Sequence, residues 1–98
     1  MTESVYSAAA RIELSARGMT FESEKSLPVR YRGQLLGHHR IDLLVEGQLI
    51  VEIKSVDCLH PVHVAQVVTY LRLTGARLGL LVNFNVPMLK QGIRRVVY

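Results

Sequence analysis

The chain has 98 residues, a formal net charge of +4 and about half of its residues apolar, which is the size of one small domain with its own core, so a single domain over residues 1–98 is expected. A lone cysteine, Cys58, excludes an intramolecular disulfide and fits a reducing, cytoplasmic setting. No apolar run approaches the ~20 residues of a membrane span, and the mild positive charge permits a polyanionic partner without demanding one.

In chain order, SVYSAAARIELSARG (residues 4–18) predicts a first helix. Val5, Ala8, Ala9, Ile12 and Ala16 recur at helical spacing, and Gly18 is a natural stop. MTFESEKSLPVRYRG follows as extended chain, with Pro28 pointing to an edge position or a bulge. The Arg32-Gly33 pair reads as a turn. QLLGHHRIDLLVEG is a second strand, bent at Gly37, and QLIVEIKSV a third. Pro61 opens a second helix at its favoured first position, and Gly75 closes it. Val64, Val67, Val68 and Leu71 form its core face. ARLGLLVNF is apolar throughout, as a central strand covered on both faces would be. GIRRVVY adds a short last strand, whose open edge is where a second copy would pair to make a homodimer. A helix between the third and fourth strands lets those two run parallel. The expectation is an α/β fold with a mixed sheet.

Asp42, Glu52 and Lys54 interrupt the most apolar strands. Charged groups in such places are paired or bind something. The hairpin register decides which. A two-residue loop, Glu46-Gly47, puts Asp42 opposite Val51, with Glu52 on the other side. A three-residue loop, Glu46-Gly47-Gln48, puts Asp42 opposite Glu52, and Lys54 shares that face because strand side chains alternate. Two carboxylates that close repel by ~4 kcal/mol at 4 Å and an effective dielectric near 20. A hard divalent cation such as Mg²⁺ or Mn²⁺ offsets this, held by one or two carboxylates plus phosphate and water. Lys54 would then orient a water or stabilise charge growing on phosphate. The plainer alternative is a surface ion pair of Asp42 or Glu52 with Lys54.

Asp42 followed by Glu52-x-Lys54, in a helix, three strands, helix, strand order, resembles the PD-(D/E)XK nuclease superfamily. Within it, ESVY at the start, RIDLLVEGQLIVEIKSV in the middle and AQVVTYLRLTGARLGLLVNF afterwards resemble the GxxExxY family of small bacterial proteins. The resemblance implies a restriction-endonuclease-like α-β-β-β-α-β core, with a mixed sheet flanked by helices. It implies a metal-dependent nuclease acting on DNA or RNA, with Mg²⁺ or Mn²⁺ as cofactor and nucleic acid as partner. Asp42 and Glu52 would be metal ligands, and Lys54 the catalytic lysine. Glu3 matches the glutamate of the name motif and would face the same metal. Tyr6 matches its tyrosine and would bind substrate. Gln66 and Tyr70 form the Q-x-x-x-Y of RecB-like nucleases; the glutamine would touch metal-bound water or phosphate, and the tyrosine the nucleic-acid backbone. The motif's glycine would fall before Met1, so the first helix is expected to be truncated at its N-terminus. Ile41 stands where the superfamily name has proline.

The rival class is a catalytically inactive nucleic-acid-binding or assembly domain that keeps the fold. Cys58, His60 and His63 form C-x-H-x-x-H, short of a fourth zinc ligand unless His38 or His39 supplies it. His63 lies one turn before Gln66 and can line the same cleft. Arg72, Arg77, Lys90, Arg94 and Arg95 are either phosphate contacts or a solvated face.

Overall fold

A computed structural model describes residues 1–98. The first helix, α1, spans Glu3–Ala16 with Thr2 at its N-cap. Glu3 in the first turn suits the positive end of the helix dipole. The helix ends where Gly18 adopts a left-handed φ of 71° and the Met19 amide donates back to the Leu14 carbonyl at 3.0 Å. The face it buries is not the expected one. Tyr6, Ala10 and Leu14 pack on the sheet, whereas Val5 and Ile12 are exposed. In an Ala-rich helix several stripes satisfy the same periodicity, and the bulkier Tyr6–Leu14 stripe fills the space over the sheet.

Strands β1 (Phe21–Tyr31) and β2 (Gln34–Val45) form a long antiparallel hairpin. Its two-residue turn has positive φ at both Arg32 (50°) and Gly33 (78°), as a type I′ turn requires. Pro28 sits on β1, an edge of the β1-β2-β3-β4-β5 sheet, where a missing amide is tolerated. The register shifts between Val29 and Arg30, a bulge close to that proline.

Strand β3 spans Leu49–Lys54. Val45 pairs with Leu49, Leu44 with Ile50 and Leu43 with Val51, so the connection is the three-residue Glu46-Gly47-Gln48 loop. Helix α2 runs Pro61–Thr74, from its proline to Gly75, whose φ is 74°. It returns the chain to β4 (Leu78–Asn83), which lies parallel to β3. A single 3-10 turn, Leu89–Gly92, leads into β5 (Ile93–Val96), antiparallel to β4 at the other edge.

Helices cover both faces of the mixed sheet. On one, Val67, Tyr70 and Leu71 of α2 pack with Ile41, Leu44, Ile50 and Leu81. On the other, α1 covers Leu43, Val45 and Ile53. Helix α2 approaches β4 closely: a Cβ on Gly79 would collide with Val67 Cγ1. The α-β-β-β-α-β order is the restriction-endonuclease-like one, extended by β5.

Candidate active site

Strands β2 and β3 part just beyond the Leu43–Val51 pair, where their ladder ends. Two side-chain bonds running in opposite directions take its place. The Asp42 amide donates to Glu52 Oε1 at 2.9 Å, and the Ile53 amide donates to Asp42 Oδ2 at 2.7 Å. Each carboxylate thus satisfies a backbone donor that the splayed ladder leaves open. Each also keeps its second oxygen free of protein hydrogen bonds. The register set by the loop places Asp42 opposite Glu52, and the two stitch the strands together.

Burial dominates the electrostatics. Glu52 is 2% exposed. Desolvation pushes its carboxyl up to about 7; the Asp42 amide opposes the rise, the Asp42 charge adds to it, and Lys54 opposes it. Desolvation also raises Asp42, against the Ile53 amide and Lys54, with Glu3 and Glu24 pushing it further up. Both carboxylates hold anionic charge against the medium around them, which is the condition under which a cation binds most favourably.

Lys54 makes no ion pair with either carboxylate. The two salt bridges in the structure are Arg17–Glu13 and Lys25–Glu22, both on the surface. The simple ion-pair alternative is therefore not formed. Lys54 instead lines a cleft of about 420 Å³ against α2, together with His39, His63, Gln66 and Thr69. The Phe84 amide holds the Lys54 carbonyl at 2.9 Å. Just beyond, buried Asn83 clamps both backbone groups of Val56. The end of β3 is fixed from β4.

Asp42 opens the other way. It lines a cleft of about 380 Å³ beside α1, with Glu3, Ser7, Arg11, Ser23 and Glu24. The expected single face for Asp42, Glu52 and Lys54 is corrected here. Alternation breaks at Asp42: Ile41 packs under α2, yet Leu43 packs under α1. Opposite, Glu24 has φ of 51° and drops out of the ladder between Ser23 and Lys25. The three residues meet across the gap between the strands rather than on one side of it.

Glu3 reaches the site from the first turn of α1, where it also accepts from the Ser55 amide at 3.3 Å. Gln66 is half-buried in the Lys54 cleft. The two tyrosines are turned into the fold: burial, then the Glu52 charge, raise the Tyr70 hydroxyl against Gln66, with Asp42 adding to the rise, so it borders the site from within, and Tyr6 lies under α1. Tyr70 is 1% exposed, and its hydroxyl donates to the Arg40 carbonyl at 3.2 Å. Its ring is core and its oxygen holds β2 in place. Tyr6 stacks on Phe84, with centroids 4.2 Å apart, and closes the core beneath α1.

His39 and Glu24 join the site through the register of the first hairpin. His39 lies edge-on to Tyr70 in the Lys54 cleft, and Glu24 stands in the Asp42 cleft. Only the β1–β2 register reveals them. His60 and His63 serve the start of α2, where the His60 amide donates to His63 Nδ1 at 2.9 Å. Cys58 is exposed and lies outside any group of metal-ligating side chains.

The donors at the splayed strands are hard oxygens, which suit Mg²⁺ or Mn²⁺. No group of three or more His, Cys, Asp or Glu side chains is gathered closely enough to hold an ion alone. What is present is a carboxylate pair with Glu3 nearby. That fits a metal completed by water and phosphate, Mg²⁺ in particular.

A helix-flanked mixed sheet with paired carboxylates and a lysine at its splayed centre defines a nuclease-type α/β domain. The model of the PD-(D/E)XK nuclease superfamily matches residues 1–96, and the chain belongs to that superfamily. The crystal structure of SSO0001 is similar in fold, with a TM-score of 0.70 at 18% identity, covering 96% of this chain. The chain spans 48% of that structure's length. No curated protein sequence matches the chain.

Proposed function

We propose that residues 1–98 form one domain of a divalent-metal-dependent nuclease that hydrolyses phosphodiester bonds, and that it belongs to the GxxExxY group. The observation that carries this reading is the reciprocal clamp: each of Asp42 and Glu52 is fixed by a backbone amide and keeps one oxygen available. A strand pair sets such geometry more rigidly than a loop would. Asp42 and Glu52 would hold Mg²⁺ or Mn²⁺, with Glu3 approaching from α1. The cation supplies charge for the phosphate and acidity for water.

Around it, Lys54 Nζ offers a proton-bearing cation to the phosphate oxygen on which charge grows. Gln66 offers an amide to water or phosphate in the same cleft. Tyr70 acts as a positioning residue, holding the Arg40 carbonyl and hence the strand that carries Asp42. The lone thiol supports a cytoplasmic setting, and no helix is long and apolar enough to cross a membrane. The open edge of β5 is where two copies would pair, which light scattering measures.

The absence of a gathered third ligand favours one competing reading, a binding or assembly domain without chemistry. Calorimetric titration of Mg²⁺ and Mn²⁺ into wild type, Asp42→Ala and Lys54→Ala separates the two. The nuclease reading expects binding in wild type, loss in Asp42→Ala, and binding without cleavage in Lys54→Ala. Wild type that neither binds metal nor cuts single- or double-stranded DNA or RNA overturns it.

A further inference from the structure

The distal half of the β1–β2 hairpin has no role in the fold. Leu27 is the last β1 residue in the core, and β2 rejoins the core at Ile41. Strand β3 pairs with β2 only from Leu43 onward. Between residues 28 and 38, every residue except Val29 and Gly37 is exposed. At ~3.3 Å per residue the ribbon reaches roughly 15 Å past Leu27, and it contributes to a molecule 44 Å long but 23 Å thick. Tyr31, Leu35 and Leu36 stand at its tip, 63%, 49% and 68% exposed, with the Arg32 guanidinium 5.8 Å over the Tyr31 ring.

Its charge is one-sided. Residues 25–41 contain Lys25, Arg30, Arg32 and Arg40 and no Asp or Glu. Lys25 is tied to Glu22 at 2.9 Å, whereas Arg30, Arg32 and Arg40 have no acidic partner. Arg40 lies opposite Ser26 and His38 opposite Pro28; Arg30 follows two residues after Pro28. Alternate residues share a face, so His38 and Arg40 stand on one side of the ribbon, and Arg30, paired with Leu35 beyond the bulge, stands nearer the tip. Leu27 and His39 take the other side, towards α2. Asp42, two residues beyond Arg40, opens on the side of α1. Arg40 therefore stands on the same side as Asp42, roughly 7 Å away along the strand, and Arg30 and Arg32 lie beyond it towards the tip.

A two-stranded ribbon fits the B-DNA major groove, which is about 12 Å wide, with a phosphate backbone on either wall. The A-form RNA major groove is too narrow and deep to admit it. We propose that the distal β1–β2 hairpin is a duplex-DNA arm: it enters the major groove, and Arg30, Arg32 and Arg40 hold the phosphates so that one strand is led towards Asp42 and Glu52. The last step rests on the nuclease reading of that site; the gripping does not.

Fluorescence anisotropy with a labelled DNA duplex of about three helical turns, in EDTA so that nothing is cut, tests this across a salt series. Wild type should bind duplex DNA more tightly than duplex RNA of the same sequence or either single strand. Arg30→Gln with Arg32→Gln should weaken binding about tenfold and reduce the slope of log affinity against log salt by about 2. Arg40→Gln, on the paired body of the strand, should reduce that slope by about 1. Arg17→Gln, at the end of α1 and paired with Glu13, should change neither. Melting temperatures confirm that each variant is folded. Unchanged affinity and slope in the arm variants, or duplex RNA bound as tightly as DNA, overturns the proposal. Arm-dependent binding without cleavage in Mn²⁺ would remove the nuclease reading and leave the arm. Cleavage by a protein whose arm variants bind normally would do the reverse.

Discussion

Removing the charge from Glu52 should make the metal-free protein more stable at neutral pH and alter how its stability depends on pH. Glu52 ionises at about 7 in the fold, against 4.5 ordinarily, chiefly because it is buried. The unfolded chain therefore loses this proton before the folded one does. Between pH 4.5 and 7 the folded state binds more protons, so stability falls as pH rises. The difference between those two values corresponds to roughly 3 kcal/mol, at 1.36 kcal/mol per pH unit. In a domain of this size that is on the order of 15 °C in melting temperature. Glu52→Gln keeps an oxygen for the Asp42 amide and cannot ionise. Melting curves in EDTA at pH 5, 6, 7 and 8 should show the variant gaining on wild type across the series, with the gap levelling off above 7. Asp42 titrates in both proteins, so it largely cancels in the difference. Saturating Mn²⁺ should shrink the gap, because the ionised pair is then the form that binds. Parallel curves for the two proteins from pH 5 to 8 would refute the argument that Glu52 is held against its charge.

Asp42→Asn should raise the metal-free melting temperature at pH 8, since it removes the repulsion and keeps an acceptor for the Ile53 amide; it should also abolish the stabilisation of about 2.7 kcal/mol that a hundredfold excess of cation over its dissociation constant gives wild type. Tyr70→Phe should cost about 1 kcal/mol by urea denaturation, the value of one hydrogen bond to the Arg40 carbonyl with the buried ring retained, and on the nuclease reading cleavage should survive in part because the hydroxyl's partner is backbone. Gly79→Ala should destabilise by about 1–3 kcal/mol, as overpacking does, because its methyl would meet the stiff, buried Val67; chemical denaturation measures it.

The order of elements was legible along the chain because its signals are local. Pro61 and Gly75 mark the ends of α2 through their own backbone restrictions, and the apolar run before Asn83 forms a strand that buries Leu81 under α2 and leaves Leu78 and Leu80 half-buried on the other face. The candidate Asp42, Glu52 and Lys54 stood out because charges in such runs conflict with burial. Three things needed the tertiary structure. The Glu46–Gln48 loop admitted two registers, and the pairing of Val45 with Leu49 chose one. Helix α1 offered several apolar stripes, and contact with Leu43, Val45 and Ile53 selected Tyr6, Ala10 and Leu14. Strand alternation breaks between Asp42 and Leu43, across from the point where Glu24 takes a positive φ and leaves the ladder of the neighbouring strand. Residue type and spacing report what a side chain can do. Where it points depends on the strand beside it, and that strand's register is a property of the packed sheet.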